Sequence, residues 1–110
     1  MNELIEQLFQ NFSVPVSFMF YDGDAPTYVT YSHVDSDSVL AADNAIVNHV
    51  DYYDFDIYSN GNYFPIIEAV KEILTGAGFM WQPSRSSADM YEKDTKYYHK
   101  TLCFAIERSN

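Results

Sequence analysis

The sequence predicts an α+β fold: one mostly antiparallel sheet packed against two helices, in the order α-β-β-(β)-β-α-β-β. Three observations carry that prediction. Apolar residues recur at three- and four-residue spacing near the N-terminus and again between residues 63 and 75, the period of a helix with one buried face. Elsewhere apolar and polar residues alternate, the period of a strand with one wet face. Ten Tyr and eight Phe help bring aromatic residues to 17%, a β-favouring bias because flat rings pack well on a pleated surface. A length of 110 residues fits a single domain, 1–110, and hydrophobic residues at 47% suffice for one core. The chain shows no internal repeat and no low-complexity tail.

Residues 2–12 are expected to form the first helix, with Leu4, Ile5, Leu8 and Phe12 on its apolar face. Pro15 ends it, because it lacks an amide hydrogen and pushes Val14 out of the helical region. Val16, Phe18 and Phe20 alternate with Ser17, Met19 and Tyr21 as a strand. Asp22-Gly23-Asp24-Ala25-Pro26 is turn chemistry, and residues 27–34 read as a second strand. Asp35-Ser36-Asp37-Ser38 reads as a solvated turn. Residues 39–47 are ambiguous, with Asp43-Asn44 a candidate interruption.

Residues 50–58 form a clearer strand. Tyr53, Phe55 and Ile57 share one face; Asp54 and Asp56 share the other with Tyr52 and Tyr58. Ser59-Asn60-Gly61-Asn62 is a turn that can cap a second helix over 63–75, whose stripe is Ile66, Ile67, Val70, Ile73 and Leu74. Pro65 is tolerated in its first turn, and Gly76 and Gly78 suit its exit. Phe79-Met80-Trp81 begins another strand. The segment 82–89, with Pro83 and serines at 84, 86 and 87, is expected to be a mobile loop. A last strand over 96–108 points Leu102, Phe104 and Ile106 one way and Thr101, Cys103, Ala105 and Glu107 the other.

Charge is unevenly distributed. Residues 1–70 hold eleven Asp and Glu and no Lys or Arg, a formal charge of -11; residues 71–110 hold six basic and five acidic residues, +1, which sums to -10. Such a field repels phosphate and anionic lipid. Two uses of it compete: letting nucleic acid pass without sticking, or imitating nucleic acid to occupy a basic partner. No apolar run approaches the ~20 residues that cross a bilayer, and no basic start leads an apolar stretch, so neither a membrane span nor a signal peptide is expected. The one cysteine, Cys103, rules out an internal disulfide and fits a reducing compartment, the cytoplasm.

No arrangement for chemistry stands out. His33, His49 and His99 lack metal-ligand spacing and read as surface or cross-strand residues. Asp22/Asp24 and Asp35/Asp37 lack the rest of a calcium loop. Cys103 reads as a small buried hydrophobe, and His99, four residues along a strand, is about 13 Å from it. Asp54 and Asp56 are about 7 Å apart on one strand face, without a pocket that would make them an acid–base pair. No catalytic residue, cofactor or metal is therefore expected. Lys93, Lys96 and Lys100, interleaved with Tyr91, Tyr97 and Tyr98, form the one basic cluster; Glu92 and Asp94 cancel much of its charge, which favours a subunit contact over nucleic-acid binding.

Several stretches in order resemble a known family. An N-terminal helix precedes Val14-Pro15-Val16. Then come Pro26-Thr27-Tyr28-Val29-Thr30-Tyr31, similar to a PPYIVY type of segment, Ala42-Asp43-Asn44, and Tyr53-Asp54-Phe55-Asp56-Ile57-Tyr58. The helix Ile67-Glu68-Ala69-Val70-Lys71-Glu72-Ile73-Leu74 follows, and Met90 to Lys100 lead into the last strand. Across nearly the whole chain this resembles the small tail-terminator and tail-completion (head–tail joining) proteins of long-tailed bacteriophages of Gram-positive hosts; the Ser-rich 82–89 segment departs from them. The resemblance implies a virion or prophage-encoded structural protein, made in the host bacterial cytoplasm. It would form a hexameric ring on the tail tube, meet the head-connector protein, and let DNA pass through its bore. It supplies no catalytic residues. Under that reading Asp54 and Asp56 are lumen-facing candidates, and Lys93, Lys96 and Lys100 are candidates for the contact between subunits. A stopper or head-completion ring is a close alternative. An acidic DNA mimic that inhibits a host nuclease or restriction system is an alternative of another class, and a small enzyme comes last.

Overall fold

A computed structural model describes residues 2–40 and 46–109. It contains two α-helices, α1 (Asn2–Leu8) and α2 (Phe64–Gly76), a short 3-10 turn (Pro83–Arg85), and six strands: β1 (Val16–Phe18), β2 (Thr27–Leu40), β3 (Ile46–Ser59), β4 (Met80–Trp81), β5 (Met90–Glu92) and β6 (Tyr97–Ser109). All six strands join one sheet in the order β1-β2-β3-β6-β4, with β5 also on β6. Only β1–β2 is parallel; the other pairs are antiparallel. The fold is thus α+β, with a mostly antiparallel sheet and two helices.

Burial follows the strand alternation. On β3, Tyr53, Phe55 and Ile57 are buried while Tyr52, Asp54, Asp56 and Tyr58 are half-buried. Val29 and Tyr31 of β2 lie opposite Ile57 and Phe55, and Leu102 and Phe104 of β6 lie opposite Phe55 and Tyr53. These side chains form one core with Ile5 and Phe9 from the N-terminal segment and Ile67, Val70 and Leu74 from α2. Helices therefore cover one sheet face, and the other keeps its polar residues.

α2 follows its sequence signals closely. Asn62 Oδ1 accepts from Phe64 N at 3.1 Å, and Pro65 occupies the first turn. At the exit Gly78 adopts φ +99. Its N–H reaches Thr75 O at 3.1 Å and Phe79 N reaches Leu74 O at 3.0 Å, the paired bonds that close a helix through a left-handed residue.

Three expectations are corrected. The first helix stops at Leu8; Ile5 is its buried residue, Phe9 just beyond its end is also buried, and Leu4 is at the surface. The Phe9 ring lies 6.2 Å from Phe55 and packs edge-on against Phe12 at 5.2 Å, so the larger ring takes the inward position. Asp35-Ser36-Asp37-Ser38 is strand, not turn. β2 runs through it with a register shift between His33 and Asp35. Its polar side chains find partners: Ser36 Oγ donates to Asp51 at 2.8 Å, and Tyr52 OH donates to Asp37 at 3.0 Å. Pairing with β3 overrides the local turn preference. The expected interruption at Asp43-Asn44 lies outside the described residues.

The third correction concerns residues 82–89, expected to be mobile. Gln82 N donates to Cys103 O at 2.8 Å and Ser87 N to Thr101 O at 2.9 Å. In return Thr101 N donates to Ser87 Oγ at 2.9 Å and Cys103 N to Ser86 Oγ at 3.0 Å. The serines act as substitute carbonyls along the β6 edge.

At the core margin Asp51 is buried and accepts from Arg108 Nε at 2.8 Å. That guanidinium holds its carboxyl below the usual range, with Ser36 assisting against the opposing effect of burial. A carboxyl depressed on folding stabilises the fold above its ordinary value of about 3.9, and that contribution disappears as pH falls through the folded value. Asp51→Asn is therefore expected to be less stable than the parent at neutral pH, with the gap narrowing on acidification towards pH ~3; urea midpoints at several pH values measure it. Leu74→Ala, which empties a fully buried position, is expected to cost about 2–5 kcal/mol in the same assay.

Candidate functional site

The uncovered sheet face is built from rows of residues paired across β2, β3 and β6. Tyr28, Tyr58 and His99 form one row; Thr30, Asp56 and Thr101 the next; then Ser32, Asp54 and Cys103. Beyond the β2 shift, Asp35, Tyr52 and Ala105 align, followed by Asp37, Val50 and Glu107. With Glu92 of β5 opposite Tyr97, six carboxylates among the described residues (Asp35, Asp37, Asp54, Asp56, Glu92 and Glu107) thus lie on one face, because alternate residues of paired strands point the same way.

One end of this face is aromatic. Tyr28 stacks on Tyr58 with ring centres 4.9 Å apart, Tyr58 on His99 at 4.1 Å, and Tyr21 on Tyr28 at 4.6 Å. Burial, aided by the Asp56 charge, pushes the Tyr58 phenol up to about 12. His99 Nε2 lies 2.8 Å from Asp56 Oδ1, which also accepts from Thr101 Oγ1 at 2.5 Å. His99 is therefore a cross-strand residue committed to a carboxylate.

Asp54 has a different environment. Burial raises its carboxyl above the usual range, opposed by a hydrogen bond with Cys103. Burial, and secondarily Asp54, pushes the Cys103 thiol up to about 11. A thiol so held is a packing group rather than a nucleophile. At the far end Arg85 packs its guanidinium 3.8 Å from the Tyr52 ring centre and donates to Asp35 at 3.2 Å. This bond holds the Asp35 carboxyl below its ordinary value.

The two lumen candidates, Asp54 and Asp56, thus occupy the open face, but both are half-buried and bonded within the chain. Among the described residues Asp35, Asp37, Glu92 and Glu107 are the exposed acids there. The sequence reading missed Asp35 and Asp37 by assigning them to a turn; their two-residue spacing was the available signal. The three lysines separate. Lys93 and Lys96 sit in the exposed turn between β5 and β6, whereas Lys100 is engaged with Asp89 at 3.4 Å. Among the described residues, no group of three or more His, Cys, Asp or Glu could hold a metal ion, and no helix is long and apolar enough to cross a membrane.

The two acids of β3 should respond differently to substitution. Asp56→Ala removes a charged acceptor from two donors and is expected to cost about 1–3 kcal/mol. Asp54→Asn relieves the desolvation of a charge and is expected to stay within about 0.5 kcal/mol of the parent or gain stability. Denaturant unfolding at neutral pH checks both. Cys103 should resist iodoacetamide at pH 8 in the folded protein and react once unfolded, as mass spectrometry would show. Comparison with known proteins finds no family model and no curated protein that matches this chain.

Proposed function

We propose that this chain is a non-catalytic structural protein of the neck or tail of a long-tailed bacteriophage. In this reading it forms a ring that terminates the tail tube and joins it to the head connector, and DNA passes through an electronegative bore. The supporting observation is the one-sided sheet: helices cover one face, and among the described residues the opposite face carries six carboxylates (Asp35, Asp37, Asp54, Asp56, Glu92 and Glu107), with Arg85 and His99 as the basic side chains bonded to them. Strands of 14 residues run about 46 Å at ordinary strand rise. A face of that length and sign repels a polyanion moving past it. Asp35, Asp37, Glu92 and Glu107 supply the exposed charge, and Asp54 and Asp56 half-buried, internally bonded rows next to the aromatic end.

Duplex DNA mobility and tail-tube pull-down test the reading together. The expected outcome is no retention of duplex DNA at ~0.15 M salt, where an anionic face offers no counterion release, together with capture by tail tubes. Asp37→Lys combined with Glu107→Lys, both at exposed positions, should raise DNA affinity measurably at low salt without unfolding the protein. A protein that stays monomeric, ignores tail tubes and abolishes a nuclease's DNA binding is a DNA mimic instead.

A further inference from the structure

The sheet carries complementary features on different strands. After β1 the chain presents Phe18, Met19 and Phe20 to solvent, exposed at 45%, 64% and 71%. This protrusion is built into the fold. Met19 N donates to Tyr31 O and Phe20 N to Phe18 O, both at 2.8 Å. Met19 adopts φ +68, a conformation an L residue avoids unless its surroundings impose it. Beyond it, Ala25 N donates to the Tyr21 hydroxyl at 3.1 Å. Gly23 passes so close to Tyr21 that an added Cβ would lie 2.1 Å from its hydroxyl. Asp22 and Asp24 flank this tip, exposed and outside every ion pair described.

At the same end of the sheet, where Tyr97 OH donates to Ala25 O at 3.1 Å and Asn60 N to Pro26 O at 3.0 Å, an open cleft of about 480 Å³ lies between the β3–α2 connection and β6, lined by Asn60, Asn62, Tyr63, Phe64, Asp89 and Tyr98. Phe64 and Tyr98 are exposed at 60% and 42%. Tyr98 pairs with Tyr91 of β5, and the turn joining those strands carries Lys93 and Lys96. The other described cations have partners: Arg85 with Asp35, Lys100 with Asp89, Arg108 with Asp51, and Lys71 over the Trp81 ring. The unpaired positive charge of an acidic protein therefore adjoins an aromatic cleft, while unpaired acids adjoin an apolar protrusion.

We propose that the Phe18-Met19-Phe20 protrusion of one copy docks in the Tyr63–Phe64–Tyr98 cleft of a second copy, with Asp22 and Asp24 meeting that copy's Lys93 and Lys96. The charge complementarity selects the occupant. A copy of this chain brings acids beside its apolar residues, which suits the basic turn. Two copies meeting acid tip to acid tip, or basic turn to basic turn, would bring like charges together. The contact joins different patches of the two copies, so it is made either once per pair in a head-to-tail array or twice across a two-fold axis. It rests on the ring reading only for self-association, and it identifies the surfaces that reading leaves unspecified.

Sedimentation velocity across a concentration series tests the contact on the whole chain. The parent should associate, and Phe20→Glu, a change at an exposed position, should weaken association about tenfold or more. Reversing either charge set alone, Asp22→Lys with Asp24→Lys or Lys93→Glu with Lys96→Glu, should weaken it similarly. All four changes in one chain should restore it, which a general loss of folding would not do. A parent that remains monomeric at all concentrations overturns the contact, as does a folded Phe20→Glu that associates like the parent. In the latter case capture by tail tubes still reports on the neck reading separately.

Discussion

The alternation along β3 sets the layout of the whole molecule. β3 lies between the two other long strands and contributes Tyr53, Phe55 and Ile57 to the core with Asp54 and Asp56 on the reverse. Sliding its register by one residue would drive carboxylates under the helices and expose three large apolar side chains. Burying two unpaired carboxyls there would cost several kcal/mol each, comparable with a small domain's whole stability. The strand therefore fixes which face the helices cover, and with it where the acidic residues of β2 and β6 must point.

Much of this is legible in the sequence, and its limits have identifiable causes. The α2 stripe, its asparagine and proline at the start and its glycine exit are local features, and the helix forms where they place it. The β3 and β6 faces are equally readable because a two-residue period is strict. The failures occur where distant partners decide. Asp35-Ser36-Asp37-Ser38 has turn composition, yet Asp51, Tyr52 and Arg85, remote in sequence, supply acceptors and donors that hold it extended. Phe9, beyond the helix end, packs against Phe55 and Phe12 while Leu4 stays at the surface, a choice made by the Phe55 ring, distant in sequence. The serines of 86–87 suggest flexibility by composition because nothing local reveals the bare strand edge they bond.

The candidate site was only half visible for the same reason. Asp54 and Asp56 lie on the expected face, but the cross-strand bonds to His99, Thr101 and Cys103 cannot be read without pairing register. Those bonds alter the electrostatics. Asp54 is disfavoured as an anion by burial, so the field over the open face is set more by its exposed acids, Glu92 at the aromatic end and Asp35, Asp37 and Glu107 towards the other. The lysine cluster, continuous in sequence, is divided by the strand into two turn residues and one that serves Asp89.

The seam between residues 82–89 and β6 has a consequence for how this protein tolerates change. Ser86 and Ser87 seal a strand edge with side-chain oxygens, while Pro83 and Ser84 bridge between anchor points without carrying ladder bonds of their own. Extra residues spliced between those two would break the turn bonds from Arg85 N to Gln82 O and from Ser86 N to Pro83 O, which set the spacing of the anchors. Deleting one residue between Gln82 and Ser86 would pull an anchor out of reach and bare an edge that recruits foreign strands.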